Sequence, residues 1–157
     1  MKKMNKFLVL MALTSINTFA ANTGSITISG TIPVTTAITV TAEGDADNLN
    51  LSQNATNKKV ATVREMSNSL RGYSVHLSSA NAGKLKNGSL GEITYTAKYA
   101  GSNVTLSTSP VRVTNQGNQS SVIGVNKDFN ISYTGISAES LMEGSYSDTL
   151  TFTISAN

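Results

Sequence analysis

Between Ile26 and Val40 the apolar residues Ile26, Ile28, Ile32, Val34, Ile38 and Val40 all fall on even positions, with Gly30 and Thr36 filling the two gaps. Period-two alternation is the pattern of a β-strand, whose successive side chains point to opposite faces of a sheet. The length of the run is what constrains the fold. About fifteen residues at ~3.4 Å each would span roughly 50 Å, whereas an ordinary strand has ~5 or 6 residues. Pro33 is the natural break, because it has no N–H to give to a ladder. Two successive strands are therefore expected, over residues 25–32 and 34–42. The second can begin a domain. The first has two possible homes, an edge of its own domain or the sheet of a neighbouring molecule, and alternation alone does not choose between them.

What precedes this run is a basic start, Lys2, Lys3 and Lys6, then an apolar stretch from Phe7 to Leu13, then small residues at Thr18 and Ala20. That is the layout of a secretory signal peptide over residues 1–20, with the cut ahead of Ala21. The stretch is too short for a transmembrane helix, which needs ~20 apolar residues. With the segment removed, nine basic residues face nine acidic ones, so the formal charge of +3 does not indicate a nucleic-acid partner. About 137 residues remain, enough for one domain with a real core. Export normally permits disulfides, yet the chain has no Cys. The fold must hold without covalent staples.

The rest of the chain is rich in Thr, Ser, Asn, Gly, Val and Ile and repeats the same alternation in shorter pieces. The cleanest is 92–100, with Ile93, Tyr95, Ala97 and Tyr99 on one face. Further strands are expected at 60–67, 72–79, 103–107, 111–114, 122–125, around Phe129, Ile131 and Tyr133, and at 146–156 with Leu150, Phe152 and Ile154 inward. Turn segments such as Asn81-Ala82-Gly83 and Asn87-Gly88 separate them. Only residues 137–142 offer even one helical turn. Many strands at this spacing indicate an all-β, immunoglobulin-like antiparallel sandwich.

Two short stretches at the ends of the exported chain carry a family resemblance. Ser25-Ile26-Thr27-Ile28-Ser29-Gly30-Thr31-Ile32 resembles the N-terminal extension of chaperone–usher pilus subunits, in which alternating hydrophobes flank a glycine shortly after the signal cut. Gly144-Ser145-Tyr146-Ser147-Asp148-Thr149-Leu150-Thr151-Phe152-Thr153-Ile154 resembles the Gly-x-Tyr-x-Asp and following alternation that close many such subunits, including capsule-like and spore-coat-U-like members. The missing cysteine pair departs from the disulfide-bearing shaft subunits. The resemblance implies a sandwich that lacks its final strand, with residues 21–33 as a donor-strand extension and 34–157 as the pilin domain. It implies a structural, non-enzymatic subunit of a surface fimbria or capsule-like fibre, exported through the periplasm and supporting adhesion to a host surface receptor. Ile26, Ile28, Gly30 and Ile32 would enter the groove of a neighbouring copy. Tyr146, Leu150, Phe152 and Ile154 would form the terminal strand that a periplasmic chaperone contacts before an outer-membrane usher exchanges it. No cofactor or metal is implied. The rival reading is a self-contained exported sandwich that binds carbohydrate or protein through its loops.

Other candidate chemistry is thin. His76 is the only histidine and faces outward between Val75 and Leu77 on the alternation; with no Cys beside it, zinc-type chemistry lacks its ligands. No Gly-x-Ser-x-Gly nucleophile turn occurs. Glu43, Asp45 and Asp47 lack the full calcium-loop spacing and read as an acidic turn. Asp148 shares the parity of Leu150, and a lone carboxylate there is expected at the rim of the sandwich, bonded to backbone amides.

Overall fold

In a computed structural model, residues 22–118 and 122–157 are described. The expected signal peptide over 1–20 lies outside them. The chain divides into residues 1–31 and a β-domain over 32–157. The described part of the first unit contains no strand, and its Ile26 and Ile28 are 86% and 88% exposed.

The domain has nine strands among the described residues and no helix: β1 (Thr36–Ala42), β2 (Ala55–Ser67), β3 (Tyr73–Ser79), β4 (Lys84–Lys86), β5 (Glu92–Tyr99), β6 (Ser102–Val104), β7 (Val111–Gln116), β8 (Val125–Tyr133) and β9 (Leu150–Ala156). All pairings are antiparallel. One sheet runs β1-β2-β8-β5, with β4 on the first part of β5 and β6 on the last; the other runs β7-β3-β9. The sheets face each other across a core of Val63, Leu77, Ile93, Tyr99 and Phe129, each nearly inaccessible to water. Phe152 of β9 joins it, 5.7 Å ring to ring from both Tyr99 and Phe129. This is the immunoglobulin-like sandwich without a final strand: β9 pairs with β3 alone and β1 with β2 alone among the described strands.

The alternation places side chains as the sequence requires. Along β5, Ile93, Tyr95, Ala97 and Tyr99 are buried while the residues between them are exposed. Several boundaries differ for physical reasons. The strand expected over 34–42 begins at Thr36, because Asn68 holds the chain ahead of it: its Nδ2 donates to the Pro33 carbonyl at 2.9 Å and its Oδ1 accepts from Thr35 N at 2.7 Å. β2 begins five residues before the expected Val60, passing Asn57, which adopts a φ of 52°, and two register shifts against β8. Residues 122–125 do not form a strand of their own. Gly124, at φ 86°, turns the chain, and a single β8 starts at Val125. β4, of three residues, is hidden in the sequence between two turns.

One charged group lies in the centre. Glu65 is 1% exposed, and its carboxylate accepts from the hydroxyls of Tyr73 (2.9 Å), Tyr99 (2.5 Å) and Thr114 (2.8 Å) and from Lys127 Nζ at 2.8 Å. Lys127 also donates to Thr114 Oγ1 at 2.7 Å and lies 5.5 Å over the Tyr99 ring. Burial first, and the neighbouring carboxylate second, push both phenols above their usual range. A buried charge is tolerable only when paired and fully hydrogen-bonded, and here both conditions hold.

Candidate strand-accepting cleft

β1 and β9 are outer strands of opposite sheets and come close to each other on one side of the sandwich. Thr36 pairs with Ser67 at the end of β2, while Tyr73, which begins β3, pairs with Ala156 at the end of β9. The start of β1 therefore lies toward the end of β9, and the two run in opposite senses. The two strands approach each other there, and where the end of β1 faces the start of β9 an apolar cleft of about 220 Å³ opens, lined by Val40, Ala42, Ala61, Phe129, Leu150 and Phe152. Leu85, Tyr95 and Asp148 line it as well.

β2, β3, β5 and β8, and Leu85 of β4, contribute fully buried apolar residues, while β6 and β7 contribute only partly buried ones. β1 and β9 contribute none: Ile38, Leu150, Phe152 and Ile154 are half-buried and Val40 is 49% exposed. At ~25 cal/mol per Å² of apolar surface, covering these side chains is a substantial unsatisfied driving force. The backbone tells the same story. A strand bonded on one edge presents a row of N–H and C=O groups on the other, the template for another strand.

The sequence-derived site residues fall into two groups. Leu150, Phe152 and Ile154 lie on β9 with Leu150 and Phe152 in the cleft wall. Tyr146 does not belong to the strand: β9 begins at Leu150, and the expected start at 146 is corrected. Gly144, at φ 142°, and Asp148, which accepts from its own following amide Thr149 N at 2.8 Å, divert the backbone, leaving Ser147 in an isolated bridge to Lys86. Tyr146 instead donates its O–H to the Met142 carbonyl at 2.8 Å. Glycine suits position 144 because of its positive φ, the only close neighbour of a Cβ there being the movable side chain of Asn87. Ile26, Ile28 and Ile32 are 86–88% exposed, and Gly30 has nothing within 4 Å of where a Cβ would lie.

Asp148 stands at the end of the cleft where β9 starts. Its Oδ2 accepts from Ser79 Oγ (2.6 Å) and Tyr95 O–H (2.7 Å), and its Oδ1 from Asn81 N (2.9 Å) as well as from Thr149 N. The expected backbone amides are there. The two buried hydroxyls were not legible, because Ser79 and Tyr95 lie on distant strands. Burial, then the Asp148 carboxylate, raises the Tyr95 phenol above its usual range. Glu43 and Asp45 of the acidic turn are engaged by lysines, at 3.1 Å to Lys59 and 2.8 Å to Lys58. His76 is half-exposed on β3, where a register shift against β7 separates it from Val75.

Solved structures that resemble this chain include two pilus proteins. One is a chain from the structure of a chaperone–usher pilus, at 15% identity and a TM-score of 0.42, covering 90% of this chain and 100% of that one. The other is the P pilus rod subunit PapA, at 10% identity and a TM-score of 0.37, covering 74% and 97%. No protein-family model and no curated protein matches the sequence.

Proposed function

We propose that this chain is a structural subunit of a surface fibre, exported through the periplasm, that polymerises by donating residues 25–32 of one copy to the β1–β9 cleft of the preceding one. The observation that carries this reading is the cleft itself: an apolar gap between two singly paired strands, in a chain that also carries an exposed period-two apolar segment. A donated strand would bond to the open edge of β9 and set Ile26, Ile28 and Ile32 against the half-buried row of β1 and β9. Each isoleucine contributes ~1.5–3 kcal/mol when fully buried, so three supply roughly 5–9 kcal/mol before ordering costs. That rivals the ~5–15 kcal/mol that holds a whole domain. Gly30, with no side chain, suits a point where the two backbones approach closely. A contact between the leading segment of one copy and the cleft of another is heterologous and does not close, which builds a filament.

On the same reading, a periplasmic chaperone covers the cleft, including Leu150, Phe152 and Ile154, until an outer-membrane usher brings the next subunit. The fibre then lies at the cell surface and supports adhesion. No catalytic role is assigned.

The test separates donor from acceptor. Ile28→Asp would bury an unpaired charge and abolish donation while leaving the cleft intact. Wild-type protein is expected to form linear oligomers by electron microscopy and light scattering, and Ile28→Asp protein to stay monomeric. Adding a synthetic peptide of residues 24–34 should then raise the melting temperature of the Ile28→Asp chain. Unchanged assembly together with no peptide effect would return the chain to the rival reading, a self-contained binding module.

A further inference from the structure

An apolar cleft beside a singly paired strand should not persist unaided. The half-buried Leu150 and Phe152 favour closing the gap, by drawing the start of β9 toward the end of β1 or by letting it fray from β3. β9 is tied at both ends by groups that belong to neither sheet ladder. At its start, the four hydrogen bonds to Asp148 gather the end of β3 (Ser79), the turn after it (Asn81), β5 (Tyr95) and β9's own approach (Thr149) into one knot. Two more bonds back it: Ala80 N donates to the Thr149 carbonyl at 2.9 Å, and Asn81 Nδ2 to the Ser147 carbonyl at 3.0 Å. Just past its end, Asn157 donates its backbone N–H to the Gly72 carbonyl at 3.1 Å and its side-chain amide to the Gln116 carbonyl at 2.8 Å, with a longer bond to Arg71 at 3.5 Å. Gly72 is required for that approach, since a Cβ there would lie 1.8 Å from the Gln116 oxygen.

We propose that Asp148 and Asn157 are positioning residues that pin the two ends of β9 and so hold the cleft open, ready to accept a strand before any strand arrives. The inference rests on the proposed strand-accepting role only for the purpose of the cleft; the pinning of β9 stands on the hydrogen bonds alone. Once a donor lies against the open edge, β9 is held on both sides and the pins become redundant. Their loss should therefore lower the rate of strand capture, by the fraction of time the cleft spends closed or frayed, and leave the release rate nearly unchanged.

The experiment compares full-length exported chains: wild type, Asp148→Ala and Asn157→Ala. Native-state amide exchange reads the pins without any ligand. The variants should exchange roughly tenfold faster along β9, toward its start for Asp148→Ala and toward its end for Asn157→Ala, with β2 and β8 unchanged. Uniform acceleration over all strands, or none in β9, overturns the proposal, because a generally structural residue weakens every strand alike. Should Asp148→Ala fail to fold, Asn157→Ala, which removes a solvent-exposed amide, carries the comparison alone. A fluorescent peptide of residues 24–34 then reads function: association slowed several-fold with dissociation within about twofold supports the pins, and equal loss in both rates opposes them. If the peptide does not bind even the wild type, strand donation fails, while amide exchange still decides whether β9 is pinned.

Discussion

β5 and β9 are close to the same strand in composition. One alternates Ile93, Tyr95, Ala97 and Tyr99 with polar residues, the other Leu150, Phe152 and Ile154, and both aim their apolar rows into one sandwich. Yet the β5 row is buried throughout and the β9 row remains half-exposed. The difference lies in neighbours. β5 is flanked by β8 on one edge and by β4 and β6 on the other, whereas β9 has β3 alone. Burial in a sheet depends on strands alongside as well as on the sheet opposite. The centre of this molecule is finished and its β1–β9 rim is not.

The largest test of that contrast is in the centre. Lys127→Met leaves the Glu65 carboxylate buried without its cation, and breaking a buried pair in this way costs about 3–5 kcal/mol. Thermal denaturation should show a drop in melting temperature of about 9–20 °C for a domain of this size, at roughly 3–4 °C per kcal/mol. Glu65→Gln added to Lys127→Met should recover part of it, since the buried charge is then gone. A Lys127→Met chain as stable as wild type would mean that the centre is no more finished than the rim.

The rim should respond to addition rather than removal. A peptide of residues 24–34 at a hundred times its dissociation constant stabilises the Ile28→Asp chain by about 2.7 kcal/mol, or roughly 8–11 °C. The same peptide should leave exchange in β2 and β8 dependent only on global stability while protecting β9 directly. Failure to raise the melting temperature would remove the functional meaning of the contrast.

How the sequence foreshadowed this division can be argued from particular residues. Period two identified the inward face of β5 and β9 without error, because pleating fixes side-chain direction locally. It also set 25–32 apart from 34–42, since Pro33 interrupts the run, although the strand itself starts only at Thr36. What it did not contain was pairing. β4 was invisible because three residues show no period, and β8 was divided in two because Gly124 alone marks the break. The Glu65 cluster draws on β2, β3, β5, β7 and β8, and the Asp148 knot on β3 and β5, so neither has a sequence spacing to read. Local period reports a face; the number of strands beside it is a tertiary fact.

A smaller effect follows for single side chains in the cleft wall. A fully buried leucine loses about 2–5 kcal/mol on truncation to alanine, and Leu150, being half-buried, should lose about 1–2 kcal/mol in the free chain. With the peptide bound, the same Leu150→Ala substitution should cost more, because the donor completes its burial. Ile93→Ala, in the closed part of the core, should cost the same with and without peptide. Melting temperatures of the two variants, each measured in both states, check this as a double difference. Equal penalties for Leu150→Ala in both states would show that the donor does not lie against β9.

The smallest effect concerns acid, and it should ignore the contrast altogether. Glu43, Asp45 and Glu92 are each held below the ordinary carboxylate range, chiefly by hydrogen bonds from Lys59, Lys58 and Lys84 respectively. A carboxylate whose folded pKa is depressed contributes stability that is present above its unfolded value, near 4.5 for Glu and 3.8 for Asp, and that disappears as pH falls through the lower folded value. All three groups are solvent-exposed, so salt screens them and each contributes little. Melting temperature should accordingly stay level from pH 8 to about pH 5 and decline only gently below about pH 4.5, by less than the Leu150→Ala effect, with the decline reduced further in high salt. The pairs occur on both sides of the division: Lys59 ties Glu43, just after β1, to Asp128 of β8 at 2.9 Å, while Lys84 meets Glu92 between β4 and β5. Acid should thus loosen rim and centre equally in amide exchange. A steep loss that is insensitive to salt, or one confined to β9, would show that these exposed pairs do not set the acid response.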